Sequence, residues 1–100
     1  MRLISRMPLA RFWGTYPAAK GPLLAWIQEV EANTWLTPNQ VQAHFASARG
    51  VHNSRFIFKI KGNDFRLVAA FLYPSHMVLV KFIGTHAEYD SINPDTVELP

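Results

Sequence analysis

The chain has 100 residues, of which 49% are hydrophobic and 13% aromatic, with ten Lys and Arg against seven Asp and Glu. That length supports one domain with one core, and so apolar a composition excludes global disorder. The absence of cysteine removes disulfides, thiol catalysis and Cys-based zinc sites.

The charge is lopsided. Residues 1–83 hold every Lys and Arg with three acids, whereas residues 84–100 hold four acids and no base. A basic body suits a polyanionic partner, although solubility alone also accounts for such charge. No apolar run approaches the roughly 20 residues of a membrane span. Arg6, Pro8 and Arg11 interrupt any secretory-type apolar segment near the start, so a cytoplasmic protein is expected.

In chain order, "MRLIS" alternates and reads as a short strand over Met1–Ser5. Pro8 can open a helix whose Leu9, Phe12, Trp13 and Tyr16 form a buried stripe. A second helix covers roughly Pro22 to Ala32, with Leu23, Trp26, Ile27 and Val30 on one face. Thr37-Pro38-Asn39-Gln40 is a capping box, opening a short helix that buries Val41, His44 and Phe45.

The period then changes from 3.6 to 2. Strands are expected at 55–61, 64–73 and 77–83, separated by Gly62-Asn63 and Pro74-Ser75. The layout is α+β, with helices on one face of an antiparallel meander. Residues 1–92 form the domain, and Asn93-Pro94 ends the ordered part, leaving 93–100 as an acidic tail.

Gly62-Asn63 signals a two-residue hairpin turn, with Lys61 opposite Asp64, Lys59 opposite Arg66 and Phe58 opposite Leu67. Because side chains alternate, one face carries Lys59, Lys61, Asp64 and Arg66 and the other Phe58, Ile60, Phe65 and Leu67. A symmetric connection at Pro74-Ser75 sets Val68 against Lys81 and Leu67 against Phe82, adding Lys81 to the cations and Phe82 to the core. Clustered cations repel by a few tenths of a kcal/mol per facing pair. Either a solvated face or a phosphate site accommodates that.

Thr85-His86-Ala87-Glu88 is a second capping box, and His86 and Tyr89 project from one side of the turn it opens. His44, His52, His76 and His86 show no metal-ligand spacing, so neither a metal nor another cofactor is expected. Trp13, Trp26 and Trp35 read as core rather than as base-stacking platforms.

"FKIKGNDFRLVAAFLY" followed by "VKFIGTHAEYD" resembles the HigB family of bacterial type II toxin–antitoxin systems, within the RelE-like superfamily. The opening "MRLISRMPLARFW" is similar to the start of those toxins. Separated motifs occur in the family order: Gly62-Asn63, Arg66-Leu67-Val68, Gly84-Thr85-His86, and Glu88-Tyr89-Asp90.

The resemblance implies a compact RelE-like fold and an endoribonuclease, an mRNA interferase that cuts mRNA on the translating ribosome. It implies control by a HigA-type helix-turn-helix antitoxin. It matches Lys59, Lys61 and Arg66 to the family's strand cations, and Tyr89 to its C-terminal tyrosine. His86 stands where those toxins carry an arginine, so His86, Tyr89 and Lys81 all remain eligible as general acid. Arg49, Arg55 and Lys81 are further RNA contacts on this reading.

The chemistry expected is attack of a ribose 2′-hydroxyl on the adjacent phosphate, leaving a 2′,3′-cyclic phosphate and a 5′-hydroxyl. Free toxin is expected as a monomer, with a heterotetramer possible once antitoxin binds. Two alternatives compete: a RelE-fold inhibitor of DNA gyrase, and a non-catalytic RNA- or ribosome-binding module.

Overall fold

The computed structural model describes all 100 residues. Strand β1 (Arg2–Ile4) leads into helix α1 (Met7–Thr15). A 3-10 turn over Pro17–Ala19 then runs into α2 (Lys20–Ala32). Gly21-Pro22 does not break α2, because both fall in its first turn, where amide N–H groups have no intrahelical partner. Helix α3 (Pro38–His44), strands β2 (Arg49–Val51), β3 (Arg55–Ile60), β4 (Phe65–Leu72) and β5 (Met77–Thr85), and the single turn α4 (His86–Tyr89) complete the order.

The five strands form one sheet in the order β1-β5-β4-β3-β2. Strands β2 to β5 are antiparallel neighbours, but β1 runs parallel to β5, so the sheet is mixed. The α+β architecture holds. Its helix-side core gathers Leu9, Leu23, Trp26, Ile27, Val30 and Val41 with Phe58, Leu67, Phe71 and Val78. The stripe on α2 is buried as its spacing implies. On α1 only Leu9 is fully enclosed, while Phe12 and Trp13 are partly covered and Tyr16 lies exposed against Phe12. His44 is not enclosed either: its Nε2 lies 2.8 Å from Glu29 Oε2.

The β3–β4 register pairs Lys59 with Arg66, Ile60 with Phe65 and Phe58 with Leu67, as expected. The turn itself differs at Lys61. Strand pairing stops at Ile60 and resumes at Phe65; Gly62 has the positive φ (61°) and the Asp64 N–H donates to the Lys61 carbonyl at 3.2 Å, but Lys61 adopts a positive φ (53°) as well. Lys61 therefore leaves the strand alternation.

The β4–β5 register differs as well. A bulge between Val68 and Ala69 pairs Val68 with Phe82 and Ala69 with Val80, leaving Lys81 as the extra residue. Phe82 is consequently turned away from the helix-side core, and its ring approaches Tyr89 at 6.4 Å between centroids. Gly84 permits this. A Cβ there would lie 2.5 Å from the end of the Phe82 ring.

The outer face carries a second, smaller apolar patch in which Ile57, Val68 and Ala70 are buried. Beyond Asn93-Pro94, where the ordered part was expected to end, residues 94–98 are tied back to the body through His52, Arg55 and Lys81. Arg55 Nη1 donates to the Pro94 and Val97 carbonyls at 3.1 and 2.6 Å, and the His52 amide donates to Asp95 at 3.0 Å. Glu98 receives both Arg55 Nη2 at 2.5 Å and Lys81 Nζ at 2.7 Å. The opposite-charge tail is a strap, because the body offers it buried cations that need acceptors.

Candidate active site

The β3–β4 alternation puts Lys59 and Arg66 side by side on the outer face. Strand β2, which the sequence pattern did not reveal, brings Arg49 to the same place by pairing it with Ile57. Tyr89 arrives from α4, which the Thr85–Glu88 capping box starts at the end of β5. Thr85 N–H donates to Glu88 Oε1 at 2.8 Å, and Glu88 N–H donates back to Thr85 Oγ1 at 3.1 Å. Together with Ser47 and Ile57, these residues line a cavity of about 380 Å³.

Inside it, Arg49 Nη2 donates to the Tyr89 hydroxyl at 3.3 Å, and the Arg66 guanidinium carbon lies 5.9 Å from the Tyr89 ring centroid. Arg66 is only 8% exposed. No carboxylate comes within ion-pair distance of Arg49, Lys59 or Arg66. Three cations thus converge without an internal counterion, whereas the cations around them are neutralised. An arrangement of that kind favours an external anion.

The remaining sequence candidates lie outside the cavity lining. Lys61 Nζ is 2.9 Å from Asp64 Oδ2 and borders a neighbouring cleft instead. Lys59 borders that cleft too, so it lies between the two hollows. His86 docks through its main chain, its N–H donating to the Asp64 carbonyl at 3.1 Å, and its imidazole pairs with Asp90 at 3.3 Å. Arg55 and Lys81, expected as RNA contacts, are both held by Glu98, and these two cations keep its carboxyl below the usual carboxylate range, with Lys81 contributing most. Only Lys59, Arg66, Tyr89 and Arg49 are brought together. Ser47 and Ile57 carried no signal of their own in the sequence.

Residues 19–92 match the family model for the HigB toxin, the RelE-like toxic component of a toxin–antitoxin system. The chain belongs to the HigB toxin family. An mRNA interferase toxin HigB of Escherichia coli K12 is 27% identical over 92 residues, covering 90% of this chain and 88% of that protein. The mRNA interferase HigB of Shigella flexneri matches to the same degree. An mRNA interferase HigB of Escherichia coli O6:H1 is 24% identical over 94 residues, covering 92% and 91%. As a HigB-family toxin, the protein has an antitoxin as its system partner. No helix in it is long and apolar enough to cross a membrane.

Proposed function

We propose that this HigB-family chain is an mRNA endoribonuclease acting in the cytoplasm on ribosome-bound mRNA, and that its antitoxin is of the helix-turn-helix HigA type. The observation that carries the reading is the cavity where Arg49, Lys59 and Arg66 meet beside the Tyr89 hydroxyl without a carboxylate among them. Its family membership and the printed activity of its relatives support the same conclusion.

The scissile phosphate sits between Lys59 and Arg66, whose charge stabilises the extra negative charge of the pentacoordinate transition state. The ribose 2′-oxygen attacks phosphorus and loses its proton to solvent, the negative charge that builds up being met by the cations of the cavity. The bond to the 5′-oxygen breaks as that oxygen takes a proton from Tyr89, leaving a 2′,3′-cyclic phosphate and a 5′-hydroxyl. Arg49 donates to the Tyr89 oxygen, which leaves the phenolic proton directed elsewhere. It also supports the phenolate as it forms. Lys61 and His86, at the hairpin end, contribute from outside the cavity, Lys61 by attracting the RNA backbone and His86 by anchoring α4 on Asp64.

The test combines purified protein, translating ribosomes and one defined mRNA, with the cut ends mapped and their chemistry determined. Codon-phased cuts ending in cyclic phosphate are expected from the parent, with loss of cutting in Arg66→Ala. Absence of cuts, with DNA supercoiling by gyrase blocked instead, would overturn the proposal. RNA binding without cleavage would overturn it too.

A further inference from the structure

The guanidinium of Arg66 offers five N–H donors in one rigid plane. Three are engaged inside the protein. Nη1 donates to the Asn63 carbonyl at 3.0 Å and to the Phe65 carbonyl at 3.2 Å, and Nη2 donates to Asn63 Oδ1 at 3.3 Å. Asn63 therefore clasps the tip of the fork with two oxygens, one from its main chain and one from its side chain. The donors left over are Nε–H and the second N–H of Nη2. They lie parallel on one edge of the plane, the arrangement that meets two oxygens of a phosphate.

We infer that Asn63 is a positioning residue for Arg66: its side-chain amide oxygen fixes the guanidinium plane so that the Nε/Nη2 edge is presented to the scissile phosphate. The inference rests on reading the cavity as a phosphodiester site. The turn accounts for the contact. With the positive φ angles at Lys61 and Gly62, the turn carries both acceptors of Asn63 to Arg66. Asn63 is exposed and belongs to no apolar cluster, so its side chain is dispensable for packing. The two main-chain carbonyls survive any substitution. What the side chain adds is the second point of attachment, without which the plane is free to turn about the Nη1 contacts.

Cleavage kinetics and a guanidinium signal test this together. Asn63→Ala is expected to lower kcat about tenfold with KM changed less than about twofold, because the misaligned donor matters most in the transition state. Asn63→Gln, which keeps a neutral amide oxygen, is expected to recover part of that loss. In an Arg66→Lys background the Asn63→Ala effect is expected to vanish, since lysine has no fork to orient. The 15N-resolved Arg66 side-chain signals, recorded with mRNA carrying a 2′-deoxyribose at the cut site, are expected to show restricted Nη2 rotation in the parent and free rotation in Asn63→Ala. Equal kcat in parent and Asn63→Ala would overturn the inference, as would a loss that persists unchanged beside Arg66→Lys. Should the parent cut no RNA, the nuclease reading fails separately, and identical Arg66 signals in parent and variant, free or with phosphate, would still refute the role of Asn63.

Discussion

The Arg66 guanidinium carbon lies over the Tyr89 ring, 5.9 Å from its centroid, and both residues line the cavity. The ring and the hydroxyl of Tyr89 therefore do different things: one lies against Arg66, while the other receives Arg49. Tyr89→Phe keeps the ring and removes the acid. It should lower kcat about 10²-fold while Tm stays within a few degrees of the parent. Tyr89→Ala removes the ring contact too and should fall further. Single-turnover cleavage with thermal melts of each variant checks this, and equal activity of Tyr89→Phe and parent would exclude the phenol as proton donor.

Lys59 and Lys61 are two residues apart but differ in circumstance, because Lys61 has a carboxylate partner and Lys59 has none. Lys59→Ala should cost about 10²-fold or more in kcat, the scale of removing one preorganised charge. Lys61→Ala and His86→Ala should each cost less than about tenfold, read chiefly in KM, since neither side chain lines the cavity. Matched kcat and KM values for the three variants decide the order.

Gly84 is required for a reason unrelated to turns. The Phe82 ring lies where its Cβ would be, and Tyr89 rests near that ring. Gly84→Ala should displace Phe82 and with it Tyr89, lowering kcat about tenfold while stability changes by about 1–2 kcal/mol. Denaturant unfolding beside cleavage assays separates the two effects.

The strap is pH-sensitive in a stated direction. Hydrogen bonds from Lys81 and Arg55 lower the Glu98 pKa below its ordinary 4.5. A carboxyl depressed in the folded state favours the docked strap fully above its unfolded pKa, and that contribution is lost as pH falls through the lowered folded value. Protease nicking within 93–100 should therefore increase with acidification below about pH 4.5. Glu98→Gln should expose the same segment already at neutral pH.

Tyr73 carries a buried hydroxyl with no hydrogen-bond partner, and burial raises its pKa. Tyr73→Phe removes the unsatisfied group while keeping the ring stacked on Phe71. It should stabilise the protein by about 1 kcal/mol, measured by urea unfolding.

Local chemistry alone was enough for several features. The i, i+3, i+4 spacing placed the buried face of α2, and the Thr85–Glu88 pair placed the start of α4, because both depend on contacts within one or two turns. Period-2 alternation likewise joined Lys59 to Arg66, a pairing the β3–β4 register bears out. What residue pattern could not supply were choices made between distant segments. The bulge at Val68/Ala69 decides which way Phe82 points, and the three-residue β2 exists because β3 offers it an edge. Lys61 left the strand face and Asn63 became an acceptor because the turn answers to Arg66 as well as to its own dihedral preferences. The tail is ordered because Arg55, buried by the sheet, needs oxygen acceptors that only residues 94–98 bring to it.

Everything concluded about function comes down to uncompensated positive charge: a hollow on the sheet's outer side where guanidinium and ammonium groups wait for an oxyanion the polypeptide does not itself provide. Alternation along two strands determines that such groups lie adjacent. Folding alone determines that no acid of this chain reaches them, since Asp64 and Glu98 are committed to other cations and Glu88 to the cap of α4, and a structure with an Asp or Glu lodged among Arg49, Lys59 and Arg66 would remove the basis for it.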